Sequence, residues 1–143
     1  MIHLFAYGTL QLPEVFHAVT GRLRASEPAT LTGYGRYGLL GLAYPGLIHE
    51  PGARTEGLLY RNLTGSELSR LDGFEDAFYQ RETLTVMTAA GESVSAEVYV
   101  VPPAAADRLD RRDWSLEAFR REHLSDFMAR CRAAGPSSPE AGM

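Results

Sequence analysis

Apolar and polar positions follow two different periods along this chain. Ile2 to Ala6 is a short apolar run closed by Tyr7-Gly8, which predicts a buried first strand. Pro13 to Thr20 sets Val15, Phe16 and Val19 on one helical face, with proline in the first turn and Gly21 as the stop. Between Arg22 and Pro51 glycine recurs among short apolar pieces, which predicts strands and turns without a long helix. Glu56-Gly57-Leu58-Leu59-Tyr60-Arg61 reads as a further strand after a turn at Pro51-Gly52.

A helix start follows. Thr64 can cap the backbone N–H of Glu67 while Glu67 reaches back to Thr64, and Leu63 and Leu68 are spaced as a hydrophobic staple. Leu71 is its last apolar position, and Asp72-Gly73 is expected to stop it after about two turns. Arg81 to Thr88 and Glu92 to Val101 form a predicted hairpin across Ala89-Ala90-Gly91. In its second strand Val94, Ala96, Val98 and Val100 alternate with Ser93, Ser95, Glu97 and Tyr99, the pattern of a sheet with one buried face. Pro102-Pro103 ends that strand. One last helix is expected from Trp114 to Ala134, with Leu116, Phe119, Leu124, Phe127, Met128 and Cys131 as its apolar stripe. Residues 1–135 read as a single domain without internal repeats, and residues 136–143 as a disordered tail.

Composition narrows the possible functions. The chain has 143 residues, 45% apolar and 22% charged, close to the soluble globular average. No apolar run approaches the roughly 20 residues of a bilayer span, so no membrane partner is expected. The N-terminal segment lacks a basic region before its apolar run and reads as strand rather than signal peptide. A net charge of −4 gives no reason to expect nucleic acid. The single cysteine excludes an internal disulfide and fits a cytoplasmic protein. All 14 basic residues are arginine. Without lysine there is no P-loop, no Schiff-base chemistry and no serine–lysine hydrolase.

Several candidate motifs have a plainer structural reading. Gly33-Tyr34-Gly35-Arg36-Tyr37-Gly38 matches G-x-G-x-x-G, but Leu39 to Pro45 opens no helix, so these glycines read as bulges in strands and imply no cofactor. His3, His17, His49 and His123 show no ligand spacing, so no metal is expected. Cys131 falls on an apolar helical face, where it reads as core. What remains is Phe74-Glu75-Asp76-Ala77-Phe78-Tyr79-Gln80-Arg81, which sets a carboxyl group among aromatics. Partial desolvation there moves an acid towards proton transfer at neutral pH. Asp72, Asp76 and Glu82 are rival carboxylates, and a solvated loop glutamate is the plain alternative for Glu75. Tyr7-Gly8-Thr9-Leu10 is a small-residue turn leaving a strand, able to offer backbone N–H groups to an anion.

An ordered set of short motifs ties these two stretches together. Tyr7-Gly8-Thr9-Leu10 is followed by Tyr44-Pro45-Gly46, Glu56-Gly57-Leu58-Leu59-Tyr60, Leu71-Asp72-Gly73-Phe74-Glu75, Tyr79-Gln80-Arg81 and Val98-Tyr99-Val100. Over about residues 2 to 101 the set resembles the gamma-glutamylcyclotransferase-like family, in its gamma-glutamylamine cyclotransferase and avirulence-induced-gene-2-like branch. The resemblance implies an α+β fold, a small barrel-like mixed β-sheet flanked by helices. It further implies a cofactor-independent, amine-releasing reaction on a small gamma-glutamyl amine or peptide. The substrate's α-amine attacks its own γ-carbonyl, leaving 5-oxoproline. Glu75 would be the general acid/base, and Tyr7, Gly8, Thr9 and Leu10 would hold the substrate's polar head, with Tyr79 and Tyr99 walling the pocket. Thr9, where the glutathione-specific branch usually carries serine, points towards gamma-glutamyl-amine substrates. Two departures from the family pattern stand out: Gln11-Leu12-Pro13 after the turn, and the short link from Asp76 to Tyr79.

Two other functions fit the same residues. One is a non-catalytic module that keeps the pocket and captures a small amino-acid-like ligand. The other is an interaction domain that uses the last helix, for which an exposed apolar stripe would be the sign.

Overall fold

A computed structural model describes residues 2–75 and 77–134. Asp76 and the expected tail lie outside the described residues. Five strands, β1 (Ile2–Ala6), β2 (Ser26–Gly38), β3 (Pro45–Leu63), β4 (Gln80–Thr88) and β5 (Ser93–Val100), close into a barrel in the order β1-β3-β2-β4-β5. The sheet is mixed, because β1 runs parallel to β5 through Leu4 and Glu97 while the other neighbours are antiparallel. Helices α1 (Pro13–Thr20), α2 (Gly65–Phe74), α3 (Leu116–Glu122) and α4 (Leu124–Ala134) flank it. This is the α+β barrel expected from the family resemblance.

Strand alternation divides the core into two clusters. Phe5, Tyr7, Leu31, Leu59, Val86, Val98 and Val100 fill the barrel. Leu4, Ala6, Tyr60 and Tyr99 face outward, where Phe16, Leu71, Phe74, Phe119 and Phe127 of the helices cover them. Tyr99 therefore does not belong to a solvated face. The helices bury the outer side of β5 near its end, so Tyr99 and Val101 are as buried as Val98 and Val100.

Three local predictions change in the fold. Pro51-Gly52 does not separate two strands. It lies within β3, where the β2–β3 register slips between Thr32↔Arg54 and Tyr34↔His49. Gly33 and Gly52 both take positive φ at this bulge, a conformation that carries no penalty without a Cβ. Helix α2 runs through Asp72-Gly73 to Phe74. A glycine inside a helix costs about 1 kcal/mol relative to alanine, but full burial of a phenylalanine returns about 1.5–3 kcal/mol, and Phe74 is wholly buried. The last helix is two helices, divided at His123. A straight helix would place residues eight apart about 12 Å along its axis. Across the break at His123 the Phe119 and Phe127 rings meet edge to face at 5.3 Å.

Candidate active site

Glu75 is positioned by the end of α2. That helix starts on the complete capping box of Thr64 and Glu67. Leu71 and Phe74 anchor its last turn in the outer core, with Phe74 edge to face against Phe127 of α4. Glu75 is the C-terminal cap: its N–H donates to the Leu71 carbonyl at 3.1 Å, and its own backbone is extended. The side chain is 5% exposed, and both carboxylate oxygens are buried. The solvated-loop reading of Glu75 is thereby excluded.

The turn after β1 is held through its carbonyls. The Tyr7 carbonyl accepts from Arg36 Nη1 at 2.9 Å. The Gly8 carbonyl accepts from the backbone N–H of Gln11 at 3.1 Å and from its side-chain amide at 3.2 Å. The Thr9 carbonyl accepts from the Leu12 N–H at 3.0 Å, and the Leu10 carbonyl from the Tyr60 hydroxyl at 2.6 Å. Each carbonyl of Tyr7-Gly8-Thr9-Leu10 thus has a protein donor. No peptide bond among the described residues is cis. In a trans peptide the N–H points opposite to the carbonyl, so the bonds to the Tyr7, Gly8 and Thr9 carbonyls also fix the directions of the Gly8, Thr9 and Leu10 N–H groups.

Glu75 and the turn meet through Tyr7 and Tyr99. Burial pushes the Tyr7 phenol well above its usual range; the Glu75 charge pushes it further, and Arg36 opposes both. Tyr99 is likewise raised, first by burial, then by its hydrogen bond to Asp72 and by the charge of Glu75. Both phenols therefore stay neutral and donate: Tyr7 to the Tyr99 carbonyl at 2.6 Å, and Tyr99 to Asp72 Oδ1 at 2.7 Å. Asp72 also pairs with Arg81 at 3.0 Å. Tyr79 turns its hydroxyl to the Pro45 carbonyl at 2.6 Å and packs its ring at a tilt against Phe78, so it fastens the Tyr44-Pro45-Gly46 segment.

A profile of the family described as "Gamma-glutamyl cyclotransferase, AIG2-like" matches residues 4–116, most of the chain. The chain belongs to that family. It is 34% identical to "AIG2-like protein C" of Arabidopsis thaliana over 126 residues, covering 87% of this chain and 73% of that one. "AIG2-like protein D" of the same plant is 29% identical over 131 residues, 90% of this chain and 85% of that one. A solution structure from Arabidopsis thaliana superposes with a TM-score of 0.71 at 29% identity, covering 92% and 80% of the two chains. A structure titled "Gamma-glutamyl cyclotransferase" shares the fold, with a TM-score of 0.58 at 17% identity over 98% and 95% of the chains.

Within this AIG2-like chain, four residues beside the site escaped sequence reasoning. Arg36 lay in a glycine-rich stretch and carried no signal of its own. Gln11, noted only as a departure from the family pattern, grips the Gly8 carbonyl. Tyr60 does the same for Leu10. Asp72, weighed as a helix end and a rival carboxylate, anchors Tyr99. Among the described residues no group of three His, Cys, Asp or Glu side chains could hold a metal ion. Four surface clefts lie elsewhere. Three surround the Leu39–Tyr44 segment and a fourth lies between β2 and β4; Glu75 and residues 7–10 line none of these four. Thr9 and Leu10 are themselves wholly buried.

Proposed function

We propose that this chain is a cyclotransferase releasing 5-oxoproline from a small gamma-glutamyl amine or gamma-glutamyl peptide. One observation carries the reading: a fully enclosed carboxylate, Glu75, whose charge acts on Tyr7 at the head of a turn with every carbonyl held. A buried acid and an oriented set of N–H groups suit a reaction in which the nucleophile is part of the substrate.

In that reaction the N–H groups of Gly8, Thr9 and Leu10 receive the anionic head of the substrate. Glu75 takes a proton from the substrate's ammonium, and the freed amine attacks the γ-carbonyl. A carbon–nitrogen bond closes the five-membered ring; Glu75 gives its proton to the departing nitrogen as the bond to the leaving amine breaks, then takes the second proton of the ring nitrogen and passes it to the released amine, which leaves as an ammonium. Tethering replaces a bimolecular encounter, and effective molarities of such well-oriented attacks reach about 10⁵–10⁸ M. Proton transfer adds typically 10²–10⁴-fold. Thr9 in the turn favours gamma-glutamyl amines as the substrate class. The lone, buried Cys131 suits work in the cytoplasm.

The test is a panel of gamma-glutamyl amines, dipeptides and glutathione, assayed for 5-oxoproline. Release from a gamma-glutamyl amine in preference to glutathione is expected. Binding of 5-oxoproline with no release from any member would make the chain the non-catalytic module instead.

A further inference from the structure

We propose that Arg36 is the positioning residue of the anion-binding turn, and that Trp114 of the C-terminal segment holds Arg36 in place. The proposal rests on the turn's role in the function proposed above. Arg36 lies on β2, 29 positions from Tyr7, and its guanidinium donates to the Tyr7 carbonyl at 2.9 Å and reaches the Glu56 carbonyl at 3.4 Å. Fixing the Tyr7 carbonyl fixes the whole peptide plane, so the Gly8 N–H must face away from Arg36. A charged donor makes this the strongest kind of hydrogen bond a carbonyl can accept. The same cation lies within about 5 Å of the Gly8 nitrogen, since carbonyl oxygen and nitrogen of one peptide are only about 2 Å apart. It therefore adds positive potential behind the N–H groups, over a distance shorter than the Debye length.

Trp114 supplies the other half. Its indole N–H donates to the Ala43 carbonyl at 2.8 Å, and its ring packs against Phe119 of α3. The Arg36 guanidinium stacks 5.5 Å from the centre of that ring. Burial lowers the Arg36 pKa from its ordinary value, and the neighbouring Asp113 and Glu56 charges oppose that effect in part. Such stacking limits where a long side chain can point, which is what an arginine needs to hold one carbonyl. The C-terminal segment thereby gains a role at the site beyond packing.

Arg36→Met, Arg36→Lys and Trp114→Leu are compared with the unmodified chain by three readouts. The first is the ¹⁵N shift of the Gly8 amide, which senses a hydrogen bond on the Tyr7 carbonyl. The second is the Kd of 5-oxoproline. The third is KM and kcat for any gamma-glutamyl amine that is turned over. Arg36→Met should move the Gly8 amide, raise Kd and KM about 10-fold or more, and leave kcat within about threefold, as loss of uniform binding does. Arg36→Lys should restore part of the affinity, and Trp114→Leu should follow Arg36→Met with a smaller effect. A Gly8 amide that stays in place, or an unchanged Kd, in a folded Arg36→Met would overturn the proposal. If the unmodified chain releases no 5-oxoproline, the cyclotransferase reading fails, while the amide shift and Kd still decide the role of Arg36. If Arg36→Met does not fold, the lysine and Trp114→Leu variants decide it by the same readouts.

Discussion

The Tyr7 hydroxyl donates to the Tyr99 carbonyl at 2.6 Å, joining residues 92 positions apart. It ties the end of β1, where the turn begins, to the end of β5, whose Tyr99 side chain leads to Asp72 on α2. Glu75 acts on both phenols, so the pair marks where the two halves of the candidate site meet.

Removing that hydroxyl should cost stability without disrupting the barrel. Tyr7→Phe leaves the Tyr99 carbonyl without this donor in a buried setting, for a loss of about 1–3 kcal/mol. Urea unfolding followed by circular dichroism would measure it. A loss under about 0.5 kcal/mol would mean that the bond does not tie the two strands.

Glu75→Gln keeps the shape of the side chain and removes its titrating proton. Turnover should fall on the order of 10²-fold or more, with an unchanged circular dichroism spectrum. Asp76→Asn should stay within a few-fold of the parent chain. The reverse ranking would identify Asp76 as the working carboxylate.

Gly57 lies on β3 just past the end of its antiparallel pairing with β1 at Ala6↔Leu58. A Cβ there would collide with the Ala6 carbonyl and the Phe5 ring, immediately before the turn. Gly57→Ala should therefore destabilise the chain by about 1–3 kcal/mol, read from the denaturation midpoint. Gly65→Ala is the control, because a Cβ at Gly65 meets open space.

Acid should weaken the chain through Glu67. The Arg24 guanidinium and the Thr64 N–H hold this carboxyl at about 2, below its ordinary 4.5, against the opposing effect of burial. Its folded pKa is depressed, so the stabilisation is complete above about pH 4.5 and is lost as pH falls towards about 2. The loss would reach at most about 3 kcal/mol. Urea midpoints at pH 7, 4 and 3 would follow it, and Arg24→Gln should flatten the profile over that window.

Much of the architecture was legible locally. The apolar run of Ile2 to Ala6, the proline and glycine around α1, the Thr64–Glu67 box and the alternation from Val94 to Val100 each state a short-range preference that the fold keeps. Where prediction failed, long-range packing was the cause. Phe74, which carries α2 past Gly73, is buried in the outer core, and Phe119 and Phe127 meet across the break of the last helix at His123.

The candidate site divides along the same line. Sequence alone determined that Glu75 follows a rigidly capped helix and that Tyr7-Gly8-Thr9-Leu10 leaves a buried strand, because capping, turn chemistry and strand period act over a few residues. Only the tertiary structure decided that Arg36, Gln11 and Tyr60 grip the carbonyls of that turn, that Tyr99 faces the helices, and that Glu75 is enclosed beside Tyr7. Hydrogen bonds and desolvation depend on what the closed barrel brings within a few ångströms, and separation along the chain carries no record of that.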